Sequence, residues 1–312
     1  MSYCMQRIIT LGETVLDIIF RNGEPKAARP GGAMLNTSIT LGRLGLPVTF
    51  ISEYGKDEIG NHVDAFLRNN GVDTSSVFRF SEGKTAIALA FLDEQMNASY
   101  SFYKDYPAER LQTILPDIRK DDLFAFGSFF AITKEIHRPL SRMIQQAKDR
   151  KTIIYYDPNF RKAHVNELDL LRPILMENFR NAMIVRGSHE DFQYIFGATT
   201  AEEAFDAIGR DNLILIYTQS AEGVTLMTPS FKKHFNVPAL IPVSTIGAGD
   251  TFNAGILYGL VKNIVGYDAI LKVQEDIWSS VIETAIVFAS EVCLSYDNYI
   301  SNEMAEKIRP SL

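Results

Sequence analysis

The chain has 312 residues, 46% hydrophobic and 22% charged, an ordinary globular composition and long enough for a large buried core. Its formal net charge of −7 argues against nucleic acid as the main partner, because a phosphate backbone calls for a basic surface. Its longest apolar stretches, such as Ala285–Cys293, are too short to span a bilayer and sit beside Glu283 and Glu291, so no membrane partner is expected.

The pattern alternates short β-rich runs with longer helical segments, which predicts an α/β protein with a mainly parallel sheet. In chain order the expected strands are Arg7–Leu11, Val48–Glu53, Leu123–Phe126, Thr152–Tyr156, Ala182–Val185 and Leu213–Thr218. The expected helices are Asn36–Leu44, Glu58–Asn70, Arg138–Arg150, Glu167–Phe179 and Thr251–Lys262. In the last of these, Phe252, Ile256, Leu260, Leu257 and Val261 recur at helical spacing and give it a face for the sheet. Two segments break the alternation, Asp17–Arg29 and Thr85–Tyr103, the second with a polar turn at Asp93–Asn97. They are expected to form a small flap over a site at the strand ends, where open parallel sheets bind ligands. The two cysteines, Cys4 and Cys293, do not make a disulfide framework, and Met1–Arg7 carries no secretory pattern. Both favour a cytoplasmic protein. The five histidines are scattered, and none is assigned to a metal.

The strongest chemical signal is Ser244-Thr245-Ile246-Gly247-Ala248-Gly249-Asp250-Thr251-Phe252, just before the last expected helix. Small residues let the backbone approach a ligand, and a helix start offers N–H groups to an anion. An acid at that point suits a base that takes the proton of an attacking hydroxyl during phosphoryl transfer. It equally suits a helix cap. No G-x-x-x-x-G-K-[ST] motif is present, and no G-x-G-x-x-G follows the first strand. Instead, Gly12–Asp17 and Pro30–Asn36 bring an acid, two glycines and an amide close together in the chain. Asp and Asn read hydroxyls well, while Asn36 read by itself is a helix N-cap and Gly31-Gly32 a turn.

These segments resemble the ribokinase (PfkB) family of carbohydrate kinases almost end to end. The family signatures are matched by Gly31-Gly32-x-x-x-Asn36 and Gly247-Ala248-Gly249-Asp250, with Gly55-Lys56-Asp57-Glu58-Ile59-Gly60 and Asp157-Pro158-Asn159-Phe160-Arg161 between them. The resemblance implies a ribokinase-like three-layer sandwich, a single kinase domain over residues 1–312, with a lid from about 17–29 and 85–103. It implies Asp250 as base and Gly247, Ala248 and Gly249 as the anion hole. Asp17, Gly32, Asn36 and Arg161 hold the sugar, and Ser188, Thr218, Ser220 and Gly223 line the ATP site. Arg161 is otherwise a solvated Arg after a turn. Asp191 meets Mg²⁺ through a water, with Glu190 as the alternative if the register shifts.

Three departures stand out. Ser188–Asp191 replaces the common Asn-x-x-Glu, Ser220 takes a glycine position of the nucleotide loop, and Ser244 stands where many members have an Asp for a monovalent cation. Little response to potassium is therefore expected. Ser295–Tyr299 does not reproduce the usual nucleotide loop, so contacts to the base are not assigned. Ala33, Ser188 and the Asp157–Arg161 segment lean towards the fructokinase branch, with ketodeoxygluconate or another sugar next and nucleosides last. A kinase-like protein that binds sugar or nucleotide without catalysis, and a dehydrogenase on the same kind of sheet, are the competing classes. A homodimer through the lid is the expected assembly.

Overall fold

The computed structural model describes residues 6–94 and 98–309. Cys4 and most of the polar turn expected at Asp93–Asn97 lie outside the described residues. The chain divides into two compact units, one formed by residues up to Pro116, Leu240–Lys262 and residues from Val281 onward, the other by Asp117–Ala239 and Asn263–Ser280. No helix among the described residues is long and apolar enough to cross a membrane.

In the first unit the chain runs β1 (Ile8–Leu11), β2 (Val15–Arg21), β3 (Glu24–Gly31), α1 (Ala33–Arg43), β4 (Val48–Gly55), α2 (Glu58–Asn69), β5 (Val72–Asp73), β6 (Val77–Phe80), β7 (Lys84–Leu92) and β8 (Ala98–Asp105). Strands β1 and β4 pair in parallel, and β4 also pairs with β5 and β6. A second, four-stranded sheet has the order β3-β2-β7-β8. It holds both segments that break the sequence alternation. On β7, the small residues Ala86, Ala88 and Ala90 are buried, while Phe91 on the other face is 41% exposed. Phe91 stacks there on Phe20 with ring centroids 5.1 Å apart.

The second unit continues with β9 (Leu123–Gly127), α3 (Lys134–Asp149), β10 (Ile153–Asp157), α4 (Leu168–Asn181), β11 (Ile184–Ser188), α5 (His189–Phe196), α6 (Ala201–Ile208), β12 (Ile214–Thr218), β13 (Val224–Met227) and β14 (Lys232–Phe235). Strands β9 to β12 pair in parallel in sequence order, and β13 and β14 close the edge antiparallel. The remaining helices are α7 (Ala248–Lys262), α8 (Glu275–Val292) and α9 (Asn302–Ile308).

Several boundaries differ from the sequence reading. Helix α1 starts three residues before Asn36, so Asn36 is not the N-cap. Gly32 takes that position with φ 126°, a conformation that a side chain rarely adopts, and a Cβ there would lie 2.0 Å from the Glu13 carbonyl oxygen. The Asn36 N–H instead donates to the Gly32 carbonyl at 2.9 Å, which frees its side chain for other work. Strand β11 runs on through the charged Arg186 because a buried carboxylate, Asp157, receives that charge. The apolar stripe of α7 is buried, but so is the rest of the helix from Thr251 to Val261; it is a core helix rather than a surface one.

Asp57 explains the Gly55–Gly60 element physically. Its Oδ1 accepts from Gly60 N–H at 2.8 Å and from the Thr85 hydroxyl at 2.7 Å, and its Oδ2 accepts from Thr85 N–H at 2.8 Å. One carboxylate thus caps α2 and pins the start of β7. Partial burial pushes its pKa up, but the Thr85 and Gly60 donors and the Lys84 charge outweigh it and hold the carboxyl below the usual range. A lowered folded pKa gives stability that is present above the unfolded value and lost as pH falls through the folded one. Asp57→Ala is expected to cost about 1–2 kcal/mol in a denaturant titration at neutral pH. The gap to wild type should narrow below about pH 4.

Candidate active site

In the first unit, the two glycine-bearing segments meet through side chains. Asn36, on the first turn of α1, donates from Nδ2 to Asp250 Oδ2 at 2.8 Å across 214 positions of sequence. The neighbouring Thr37 hydroxyl donates to the Asp250 carbonyl at 2.9 Å. Because a carboxylate accepts from Asn36, its Nδ2 is fixed as the donor and its Oδ1 becomes an acceptor. That Oδ1 is buried and has no hydrogen-bond partner among the described residues, an arrangement that a substrate O–H can satisfy. Asp250 lies in the first turn of α7 and is partly exposed, as are Gly247, Ala248 and Gly249. The amides at such a helix start lack intrahelical acceptors and favour an anion.

Asp17, on β2, is 5% exposed, and its Oδ2 accepts from Asn298 Nδ2 at 3.0 Å. Asn298 is fully buried, and its Oδ1 is a second buried acceptor with no partner among the described residues. Gly247 has φ 81°, and a Cβ there would lie 2.4 Å from the Asn298 carbonyl oxygen. A glycine is therefore required where this loop packs against the start of the signature helix. Asn298 escaped the sequence reading because nothing in its local sequence distinguishes it. Its signal is the contact with Asp17, 281 positions away.

The four-stranded sheet is tied to the same region by charge. Glu13 Oε1 accepts from Lys104 Nζ at 2.6 Å and from the Tyr106 hydroxyl at 2.8 Å. Just beyond, buried Glu53 pairs with Arg110 and accepts from Leu111 N–H at 2.6 Å. Ser244 is 1% exposed, and its hydroxyl accepts from Ile246 N–H at 3.1 Å within its own turn.

In the second unit, Asp157, Ser188 and Thr218 occupy the carboxyl ends of three adjacent parallel strands, β10, β11 and β12. Arg186 joins two of them, donating to Asp157 Oδ2 at 3.1 Å and to the Thr218 hydroxyl at 3.0 Å. Burial works against the Arg186 charge, but the Asp157 carboxylate and its neighbours outweigh it, and the guanidinium stays protonated. Asp191 and Ser188 form a capping box at the start of α5. The Asp191 carboxylate accepts from Ser188 N–H at 2.6 Å, from the Ser188 hydroxyl at 2.7 Å and from Phe160 N–H at 2.5 Å. Burial, then the Asp157 charge, pushes its pKa above the usual carboxylate range. Arg161 follows directly on this anchored turn and is exposed. Ser220 has φ 48°, so a serine occupies a conformation suited to glycine. Gly223 ends the same short turn after β12. Among the described residues, no group of three or more His, Cys, Asp or Glu is placed to hold a metal ion. Arg186 was missed in the sequence; the signal that could have found it is a charge directly continuing the apolar run Ala182–Val185, since buried arginines are rare unless paired.

A model of the pfkB family of carbohydrate kinases matches residues 5–292, and the chain belongs to that family. Fructokinase-1 of Zea mays is 28% identical over 271 residues, covering 82% of this chain and 83% of its own. The fructokinase of Vibrio alginolyticus is 24% identical over 262 residues, covering 83% and 85%. Among solved structures, a double mutant of Vibrio cholerae fructokinase with fructose, ADP and a potassium ion superposes with a TM-score of 0.85. It is 22% identical, and 99% of each chain is covered. Aminoimidazole riboside kinase from Salmonella enterica, complexed with aminoimidazole riboside and an ATP analog, superposes with a TM-score of 0.82 at 19% identity, covering 98% and 99%. The chain therefore has the ribokinase-like α/β fold.

The Asn298–Asp17 bond yields a direct expectation. Asn298→Ala leaves a buried carboxylate short of a donor, so stability should fall by about 1–3 kcal/mol. The KM for sugar should rise, while the KM for ATP stays near wild type. Steady-state kinetics and a thermal midpoint on one preparation check both.

Proposed function

We propose that this chain transfers the γ-phosphate of ATP to a hydroxyl of fructose. The observation that carries the reading is the Asn36–Asp250 hydrogen bond, which sets a carboxylate beside a buried amide oxygen still in need of a donor. One sugar hydroxyl donating to Asn36 Oδ1 sets a neighbouring hydroxyl of the same sugar beside Asp250. Asp250 takes the proton of that second hydroxyl as its oxygen attacks the γ-phosphorus, and ADP leaves. The Gly247–Asp250 backbone at the start of α7 receives the charge of the transferring group. Asp17, Gly32 and Asn36 bind the sugar, and Arg161 offsets phosphoryl charge with its guanidinium.

Ser188, Thr218, Ser220 and Gly223 are the residues we assign to ATP. Magnesium carried by the nucleotide phosphates would supply neutralising charge and would need no protein cage of its own. We assign Asp191 to that ion through a water. A carboxylate offers about four lone-pair sites, and three protein donors already occupy Asp191. The named relatives favour fructose over ketodeoxygluconate and other sugars. The retained Asp250 weighs against a kinase-like protein that only binds. We place the reaction in the cytoplasm, as the two cysteines, too few for a disulfide framework, favour.

We further propose that the β3-β2-β7-β8 sheet is a lid and, through its outer face, the contact for a second copy of the chain. Phe91 and Tyr103 are 41% and 62% exposed on the same face of β7 and β8, an apolar surface of the kind that oligomers cover.

Three measurements test these readings. ATP consumption with a panel of hexoses, ketodeoxygluconate and ribonucleosides is expected to be fastest with fructose; consumption with none of them favours a binding protein. Hydrogen exchange should slow on adding fructose in residues 17–29, 85–92 and 99–103 and at the Gly31–Asn36 turn. Exchange there as slow as in the central strands without sugar would make the sheet a fixed part of the fold. Replacing choline chloride with KCl at constant ionic strength should leave the rate nearly unchanged, because Ser244 supplies no carboxylate.

A further inference from the structure

The first unit also contains a cavity of about 310 Å³ that the proposed reaction does not use. Arg29, Arg43, His62, Phe66, Asp297 and Tyr299 wall it. Arg29 donates from Nε to Asp297 Oδ1 at 2.8 Å, so the single carboxylate of the wall is already paired. Arg43 is 8% exposed; its Nε donates to Asn70 Oδ1 and its Nη1 to the Ile300 carbonyl, each at 2.6 Å. Its guanidinium carbon sits 4.7 Å above the Tyr299 ring. Tyr299 is 2% exposed, and its hydroxyl is buried with no hydrogen-bond partner among the described residues.

A buried hydroxyl without a partner is costly, and Tyr299 shares the cavity wall with Arg43 and Arg29. The wall has two fixed cations to one anion, several N–H and O–H donors and few acceptors. Its volume is at the small end of ligand pockets.

We propose that this cavity is a second ligand site, which takes a small anion carrying a phosphate or carboxylate group. The anion accepts from the Tyr299 hydroxyl and meets the positive charge of Arg43 and Arg29, while His62 stands at the exposed rim. Such a ligand bears on the Asp17 region through the chain itself. Asn298, which holds Asp17, lies between Asp297 and Tyr299, and Arg29 is the register partner of Asp17 across β2 and β3. An occupant is therefore expected to change the KM for sugar while leaving kcat and the KM for ATP unchanged. This coupling, unlike the site, rests on the sugar-kinase reading.

The test is calorimetric titration of the unliganded protein with inorganic phosphate and, separately, with citrate. Tyr299→Phe removes only a hydroxyl that has no partner among the described residues. His62→Glu places a repelling carboxylate at an exposed position. Without ligand, His62→Glu should keep the wild-type thermal midpoint, and Tyr299→Phe should keep or raise it, because it removes an unsatisfied buried hydroxyl. At least one of the two anions should bind the wild type, about tenfold more weakly to Tyr299→Phe, which corresponds to about 1.4 kcal/mol, and not measurably to His62→Glu. The anion bound more tightly identifies the preferred head group. Binding at the Gly247–Asp250 helix start persists in both variants, so only the component they lose belongs to this cavity. The proposal is overturned if neither anion binds the wild type, or if both variants bind as the wild type does, in which case the cavity holds water only.

Discussion

The hydrogen bond from Asn36 to Asp250 is the constraint on which the first unit's chemistry depends. It joins the opening turns of two helices that the chain forms 214 positions apart. It also fixes the orientation of an amide, because a carboxylate can only accept. The rest follows from that polarity. An acceptor is left buried at Asn36 Oδ1, and Thr37 bonds to the Asp250 backbone at 2.9 Å, so the geometry is set from two neighbouring residues of one helix turn. Preorganisation of this kind leaves little to rearrange when a hydroxyl arrives.

The two units handle charge differently. In the first, buried Asp17 and partly exposed Asp250 accept from neutral donors, while Glu13 and buried Glu53 meet cations. In the second, two buried acids, Asp157 and Asp191, stand near one buried arginine, Arg186. Removing one member of such a group leaves uncompensated charge in a closed interior, so these residues act as a set. Asp157 and Asp191 anchor the turn before Arg161 by accepting from the Asn159 and Phe160 N–H groups.

Much of this was legible in the sequence, and the limits have physical causes. The strand and helix alternation and the paired signatures pointed to the family, and the two irregular segments pointed to the separate small sheet. Read by itself, Asn36 suggests a cap because capping is a local preference, whereas its partner is distant; only the family resemblance pointed it to the sugar. Strand β11 was cut short at Arg186 because a charged residue ends an apolar run unless the acid that receives it is known. Asn298 and Tyr299 were opaque for the same reason: their meaning lies in contacts with Asp17 and Arg43. Local pattern reports backbone and burial, while a site is made of long-range pairs.

The central claim is that Asp250 removes the proton of a hydroxyl lodged beside Asn36. The most direct measurement is Asp250→Asn, with fructose affinity by calorimetry and turnover measured on the same preparation. The amide keeps an oxygen for Asn36 and removes the base. Fructose affinity should stay near wild type while turnover falls by about 10²–10⁴-fold. Turnover close to wild type, with the protein folded and fructose bound, would contradict the account.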